Sequence, residues 1–363
     1  MATASQSAPA EFDVVRLAAR AELSAERLAR LNEALQPALD WTEILRAGAY
    51  HKALPLIYAH LREHPAVPEA VVGALRDRTW QVSAHVLFLT SEMAQIARRL
   101  SHEDIPFLVL KGPSVAAAYG GVAKRPFVDN DLLIRREDFA RAEQVLLSLG
   151  FNERKRNSQQ QSGYLSVHGE YTFGRAVGAF VSTVDVHTRL VPVGFSYAPG
   201  FAELMTRSRA LDVSGVSVRA LSWGDLFLAL SVNALKDQWD RLRLASDIAE
   251  VAGLVQDWPA VMAQAARDRV LRAVHLAILV AADALDATFP PDVVAQARRD
   301  RHAVVLSAHV RDGFARGREG IVLSGAERVR LNLLVQDGLR GQLRYVGYAT
   351  ARRVTERLFD PHR

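Results

Sequence analysis

The sequence predicts an α+β protein in which a small mixed β-sheet is flanked by helical N-terminal and C-terminal parts. Before residue 104 and again after residue 221, apolar residues recur at three- and four-residue spacings, which is the period of amphipathic helices. Between these parts, short apolar or alternating runs end at glycines and polar residues, a pattern typical of strands. We therefore expect a helical region at 1–103, an α/β core at 104–220 and a helical domain at 221–363.

The N-terminal part is predicted to contain four helices. Gly48 stands between the second and the third of them and is expected to separate the two. The four predicted segments are 11–35, 41–47, 50–62 and 68–100.

The core is predicted to begin with a buried strand at 105–110, which turns through a glycine into a short helix. A second strand is expected at 127–134, followed by an amphipathic helix at 136–149 that stops at Gly150. An exposed polar loop is expected at 152–162, followed by strands at 165–173 and 179–190 that are joined across 174–178. A second hairpin is predicted to pair 210–213 with 216–220. Helices are expected from Leu221 onward, with Ser222 as an N-cap.

The composition excludes several classes of protein. The chain has 363 residues, of which 49% are hydrophobic and 23% are charged, and this excludes pervasive disorder. It has no cysteine, so disulfides and thiolate metal sites are excluded. Residues 1–10 lack the basic and apolar regions of a secretory signal, and no apolar run reaches the roughly 18 residues of a membrane helix. We therefore expect a cytoplasmic protein that does not enter a membrane.

The basic charge balance has two explanations. A net charge of +5 and a pI of about 9.6 suit a polyanionic partner such as nucleic acid or a nucleotide. The chain is also rich in arginine and alanine, a pairing that a GC-rich coding sequence produces without any such partner. Composition alone leaves both explanations open.

The pattern Asp129-Asn130-Asp131 is a candidate metal site. Residues two apart on a strand point to the same face, so the two carboxylates are expected to project together. Like charges held side by side cost stability, and a divalent cation such as Mg²⁺, which prefers oxygen ligands, removes that cost. The alternative is a solvated strand end, where aspartate is common.

Asp185 lies in Val184-Asp185-Val186-His187 on a later predicted strand. A third carboxylate beside the first two would complete a set able to hold two metal ions about 3.5–4 Å apart. The alternative is an exposed strand face. His187 is interpreted as a hydrogen-bonding neighbour of the carboxylates rather than as a ligand.

The turn Lys111-Gly112-Pro113-Ser114 is a candidate phosphate loop. A strand that turns through glycine into a helix presents free backbone N–H groups, which together with Lys111 and Ser114 can cradle a triphosphate. The alternative is a plain turn, and the motif is not a Walker A loop. Arg125, four residues before Asp129, is expected to bind a phosphate or to brace the aspartates.

These segments resemble a known family. In order along the chain they read L-K-G, R-P, D-N-D-L-L-I, L-G-F and V-D-V-H. This pattern is similar to that of the uncharacterised bacterial nucleotidyltransferases of the polymerase-beta-like superfamily, and the similarity covers roughly residues 41–250. The quoted segments are Leu110-Lys111-Gly112, Arg125-Pro126, Asp129 to Ile134, Leu149-Gly150-Phe151 and Val184 to His187.

The resemblance implies a nucleoside triphosphate donor, two Mg²⁺ ions, and transfer of a nucleotidyl group to an acceptor hydroxyl or phosphate. By position it implies that Asp129 and Asp131 are metal ligands, that Asp185 is the third carboxylate, and that Gly112 to Ser114 form the phosphate loop. The chain departs from the superfamily at Pro113, since proline has no N–H to donate to a phosphate.

Several alternatives stay open. The acceptor is a small molecule, a peptide or a tRNA, and in the last case Arg154-Lys155-Arg156 would contact its phosphate backbone. A non-catalytic nucleotide- or RNA-binding protein with the same fold is the alternative to an enzyme. Lys236 is interpreted as a solvated lysine, with contact to the triphosphate tail as the alternative. Asp247 is interpreted as a helix-surface residue, with bracing of the site from its helix as the alternative. The sequence does not predict which NTP is used or the oligomeric state.

Overall fold

The computed structural model describes residues 9–153, 169–191, 193–316 and 325–359. Helices dominate the two ends of the described chain, and a mixed β-sheet lies between them. This confirms the predicted α+β class with a mixed sheet flanked by helices. The α-helices are α1 (Ala10–Leu17), α2 (Ala25–Ala34), α3 (Trp41–Tyr50), α4 (Leu54–Leu61), α5 (Glu69–His102), α6 (Pro113–Ala116), α7 (Phe139–Ser148), α8 (Phe201–Arg207), α9 (Trp223–Lys236), α10 (Leu242–Ala252), α11 (Trp258–Arg267), α12 (Leu271–Leu285), α13 (Pro291–Arg299), α14 (Arg301–Arg316), α15 (Gly325–Val335) and α16 (Gly338–Phe359).

Among the described residues, seven strands form one mixed sheet in the order β3-β4-β5-β2-β1-β7-β6. In the centre, β2 runs parallel to β5 and antiparallel to β1, while β1 runs parallel to β7. The outer pairs β3–β4, β4–β5 and β6–β7 are antiparallel. The strands are β1 (Phe107–Val109), β2 (Asn130–Ile134), β3 (Asn152–Glu153), β4 (Glu170–Val177), β5 (Phe180–His187), β6 (Arg209–Val213) and β7 (Val216–Ala220).

The apolar runs of β1 and β2 are explained by cores on both faces of the sheet. Leu108 and Leu133 pack into the larger core, which the N-terminal and C-terminal helices share. Val109 and Leu132 point to the opposite face and pack with α5 and α7 in a second core. A strand buried on both faces has apolar residues at successive positions, as the sequence shows here.

Two helix predictions for the N-terminal part were wrong. The single predicted helix at 11–35 is interrupted between α1 and α2, and α2 restarts where the Ser24 hydroxyl accepts a hydrogen bond from the Arg27 amide. Gly48 does not end α3 but lies inside it. A Cβ at Gly48 would stand 2.8 Å from side-chain atoms of Leu54 and Ile57, so glycine there permits the close approach of α4.

The core elements follow the predictions, with three differences. The β4–β5 turn lies at Gly178, with φ +58°, because β4 continues through the segment that was predicted to turn. Of the predicted polar loop, Asn152–Glu153 is a strand, and the rest, including Arg154-Lys155-Arg156, lies outside the described residues. Helix α8 was missed because seven residues are too few for a clear helical period.

The hairpin of β6 with β7 and the N-cap of α9 are confirmed. The Ser222 hydroxyl accepts a hydrogen bond from the Asp225 amide at the start of α9. Within the described part of the chain, no helix combines the length and the apolar character that a membrane crossing requires.

Candidate active site

The parallel pairing of β2 with β5 places Asp131 directly opposite Asp185. Because the two strands are in register, both carboxylates project from the same face of the sheet. His187 follows two residues later on β5 and therefore shares that face. One ligand atom from each of Asp131, Asp185 and His187 lies within 4.8 Å of the other two.

Asp131 is buried and contacts two donors. His187 Nε2 lies 3.0 Å from Asp131 Oδ1, and Lys111 Nζ lies 3.5 Å from the same oxygen. Burial opposes the charge on Asp131, but Lys111 and the hydrogen bond from His187 outweigh it and hold the pKa of this carboxyl below its usual range. Asp131 is therefore ionised, and His187 is the hydrogen-bonding neighbour that the sequence suggested.

Asp185 lies in a less favourable environment for charge. Burial and the nearby charge of Asp131 raise its pKa above the usual range. The Thr172 hydroxyl, on the neighbouring strand β4, donates a hydrogen bond of 2.6 Å to Asp185 Oδ1 and so fixes the orientation of the carboxylate. Asp185 is thus an oriented carboxylate with a raised affinity for a proton.

Asp129 stands immediately before β2. Burial, followed by the charges of Asp131 and Asp185, raises the pKa of Asp129 to about 6. Between the two aspartates, the Asn130 side chain points away and donates a hydrogen bond of 2.9 Å to the Leu89 carbonyl of α5. Among the described residues, the close cluster contains His187 rather than Asp129, so a metal-ligand role for Asp129 stays a prediction.

Sequence reasoning missed Glu170. It is the first residue of β4 and pairs across the ladder with His187 on β5. Its carboxylate lies 3.6 Å from His187 Nδ1 and 3.2 Å from the Nζ of Lys236 on α9. Burial would raise the pKa of Glu170, but Lys236 and His187 outweigh it and lower the pKa. Only the pairing of β4 with β5 identifies Glu170, because nothing in its local sequence marks it.

The glycine loop has a backbone conformation that favours glycine, and it is closely packed. Gly112 has φ +52°, and a Cβ at this position would lie 3.3 Å from the Phe127 ring. Ser114, which was predicted to contact phosphate, is instead completely buried. Its hydroxyl and its carbonyl oxygen accept hydrogen bonds from Arg209 of β6, at 2.9 and 3.0 Å, so the structure does not bring Ser114 to the aspartates.

Arg125 and Asp247 form a buried ion pair. Arg125 Nε and Nη2 donate hydrogen bonds of 3.0 and 2.6 Å to the two carboxylate oxygens of Asp247 on α10, and the Tyr119 hydroxyl donates a third of 2.9 Å. Burial would raise the pKa of Asp247, but Arg125 outweighs it and lowers the pKa. The interpretation of Asp247 as a surface residue was therefore wrong, because α10 packs this face against the core. The pair with Arg125 agrees with the alternative, a residue that braces the site. A phosphate contact by Arg125 stays a prediction.

The carboxylates lie in a cleft of about 780 Å³ between the sheet and the helices. Asp129, Asp131 and Asp185 line one part of it with Glu170, and Lys111 and Lys236 flank them. Lys236 was interpreted as a solvated lysine, but its contact with Glu170 holds it at this wall.

The donor set fits a divalent cation. Asp131 and Asp185 provide oxygen ligands from a rigid sheet. Burial, and after it the charges of the neighbouring aspartates, raise the pKa of Asp129 and of Asp185, and a cation would offset both costs. His187 hydrogen-bonds Asp131 and so orients it, as residues adjoining metal ligands commonly do.

The chain belongs to the uncharacterised nucleotidyltransferase family, whose model matches residues 37–286. This confirms the resemblance inferred from the sequence motifs, and it extends the match beyond them at both ends. No curated protein matches the chain.

Two solved structures are similar to parts of the chain. The solution structure of the antibiotic-resistance factor ANT(2'')-Ia has 17% identity, covers 50% of this chain and 90% of that chain, and superposes with a TM-score of 0.36. The crystal structure of an antigenic nucleotidyltransferase-like protein from Paracoccidioides brasiliensis has 15% identity, covers 57% of this chain and 96% of that chain, and superposes with a TM-score of 0.37.

Proposed function

We propose that this protein is a Mg²⁺-dependent nucleotidyltransferase that moves a nucleoside monophosphate from an NTP to a hydroxyl or phosphate of an acceptor. The observation that carries the proposal is the in-register pairing of Asp131 with Asp185 in a chain of this family. A buried carboxylate held beside a half-buried one is costly unless the two serve a bound cation. We place the reaction in the cytoplasm, where NTPs and Mg²⁺ are abundant.

Asp131 and Asp185 would hold the metal ions, with Asp129 as the further carboxylate of the predicted pair. Mg²⁺ bound there would supply positive charge to neutralise the phosphates as the transition state forms. Two ions are proposed, because two-metal sites are the usual arrangement for in-line displacement at phosphorus.

The chain's own groups would position the reactants. Lys111 and Lys236 flank the carboxylates and would contact the β- and γ-phosphates. Asp185, whose carboxylate Thr172 orients, would accept the proton of the acceptor hydroxyl. The acceptor oxygen then bonds to the α-phosphorus, the bond from this phosphorus to the bridging oxygen breaks, and pyrophosphate leaves.

The experiment that tests this function measures transfer of the nucleotidyl group to acceptor molecules. The protein is incubated with Mg²⁺, each of the four α-labelled NTPs and a cell extract, and molecules that acquire label are isolated. We expect label transfer that EDTA abolishes. Label on RNA would identify a tRNA-type acceptor, whereas label on small molecules or peptides would identify the other two classes. Absence of label transfer with all four NTPs would contradict the proposal.

One observation favours the alternative, a non-catalytic nucleotide- or RNA-binding protein. Pro113 lacks an N–H, and the Ser114 hydroxyl is engaged by Arg209, so the loop offers few donors to a triphosphate. Calorimetry with each NTP, with and without Mg²⁺, separates the two functions. Binding without turnover in the presence of extract would support the alternative.

A further inference from the structure

The same cleft also carries positive charge from residues outside the carboxylate cluster. Lys52, which follows α3, and Arg241 and Arg243, at the start of α10, line it. Lys111 and Lys236 already contact acidic partners beside the metal cluster, whereas these three cations come from other elements.

These three cations are poorly neutralised. Arg241 has one partner, Asp240, at 3.2 Å. Lys52 and Arg243 form no salt bridge with the described residues, and the buried Arg243 Nε has no hydrogen-bond partner among them. Asp247 is a carboxylate whose charge acts on Arg243, but both of its oxygens already accept hydrogen bonds from Arg125.

The cations also repel one another. Burial lowers the pKa of Lys52 most, and the charges of Arg241 and Arg243 lower it further. Burial likewise lowers the pKa of Arg243 most, followed by the charge of Arg125. The first turn of α10 contains no acidic residue, so the partial positive charge of the helix N-terminus adds to the same field. Asp240 acts on both Arg241 and Arg243 and neutralises part of this charge, and a bound anion would neutralise more of it.

We propose that Lys52, Arg241 and Arg243 form a subsite, separate from the triphosphate site, for a phosphate group carried by the acceptor. The inference deepens the proposed function and rests on it, since it names the chemistry of the second substrate. The separation rests on the partners of each group: Lys111 and Lys236 contact acidic residues of the carboxylate cluster, whereas Arg243 has no salt bridge with a described residue. Its guanidinium suits the tetrahedral oxyanion of a phosphate, which arginine binds through two N–H groups.

The first measurement is calorimetric titration of the metal-free protein with inorganic phosphate. We expect the wild-type protein to bind phosphate, and Arg243→Gln and Lys52→Met each to weaken binding at least tenfold. Arg243→Lys, which keeps the charge but loses the two-donor geometry of the guanidinium, is expected to bind more weakly than the wild type and more tightly than Arg243→Gln. Arg62→Gln, at an exposed arginine paired with Glu63 away from the cleft, is the matched control and should leave binding unchanged. Melting temperatures verify that each variant is folded.

The second measurement separates acceptor from donor. The α,β-methylene analogue of each NTP is titrated with Mg²⁺ into the wild-type protein and Arg243→Gln. We expect affinities within twofold, and we expect phosphate to bind to the analogue-loaded wild-type protein.

A tenfold loss of analogue affinity in Arg243→Gln would show that these cations belong to the triphosphate site and would overturn the separate subsite. Absence of phosphate binding to the wild-type protein, or unchanged phosphate binding in Arg243→Gln, would overturn the subsite itself. If no analogue binds the wild-type protein, the proposed function fails, while the phosphate titration still decides the subsite.

Discussion

Arg125 and Asp247 are joined by two hydrogen bonds of 3.0 and 2.6 Å, and each side chain is at most 5% exposed. The residues are 122 positions apart, so this pair ties the segment before β2 to helix α10. Since Arg125 and Asp247 also line the cleft, the pair connects the stability of the fold to the shape of the site.

Breaking this pair is expected to be costly. Arg125→Met leaves the Asp247 carboxylate buried without its counter-charge, which typically costs about 3–5 kcal/mol of the free energy of unfolding. Urea denaturation measures the loss. The double variant Arg125→Met/Asp247→Leu is expected to recover most of it, because no charge remains buried. Equal stability of the single variant and the wild-type protein would contradict a structural role for the pair.

Asp185→Asn is expected to lower the rate of nucleotidyl transfer by a factor on the order of 10²–10³, because it removes both a metal ligand and the proposed general base. In the metal-free protein the same change should leave the melting temperature unchanged or higher, since it relieves the repulsion with Asp131. Label transfer and thermal melting provide the two measurements. Asp312→Asn, at an exposed position on α14, is the control. Full activity of Asp185→Asn would contradict the assignment.

The two glycines Gly112 and Gly73 should respond in opposite directions to alanine. At Gly112, φ is +52° and a Cβ would lie 3.3 Å from Phe127, so Gly112→Ala is expected to destabilise the protein by about 1–3 kcal/mol. At Gly73, inside α5, a Cβ would meet nothing within 4 Å, so Gly73→Ala should stabilise by about 0.5–1 kcal/mol. Denaturation curves of the two variants decide the prediction. A stabilising Gly112→Ala would contradict the requirement for glycine at this position.

The stabilisation that Mg²⁺ provides is expected to disappear as the pH falls through about 6, because Asp129, with its pKa raised to about 6, then binds a proton instead. In the metal-free protein the raised pKa of Asp129 also determines whether stability rises or falls with pH. The folded state binds a proton that the unfolded chain releases at its ordinary pKa of 3.8, so this group's contribution to stability falls as the pH rises from 3.8 to about 6.

Asp129→Asn tests both statements through melting temperatures between pH 4 and pH 8, with and without Mg²⁺. Without metal, the variant should be more stable than the wild-type protein above pH 6. With metal, it should gain less from Mg²⁺ at pH 8. An unchanged Mg²⁺ response in Asp129→Asn would show that Asp129 is not a ligand.

The sequence alone was enough to predict the fold class, the family and the strand at whose start Asp129 and Asp131 lie together. The spacing of Asp129 and Asp131 follows from the two-residue period of a strand, and the buried runs around them follow from the cores on both faces. These are local properties of the chain, so the order of residues encodes them directly. The predicted domain boundaries and the metal roles of the aspartates stay predictions.

Only the tertiary structure decided which groups surround the aspartates. Glu170 reaches Lys236 across 66 residues and His187 through the pairing of β4 with β5. Ser114 is turned away by Arg209, 95 residues later, and the Asp247 carboxylate is buried by α10. Such contacts depend on the order of strands in the sheet and on how the C-terminal helices pack over it. Local periodicity does not encode either, because it describes one face of one element and not the element that covers it.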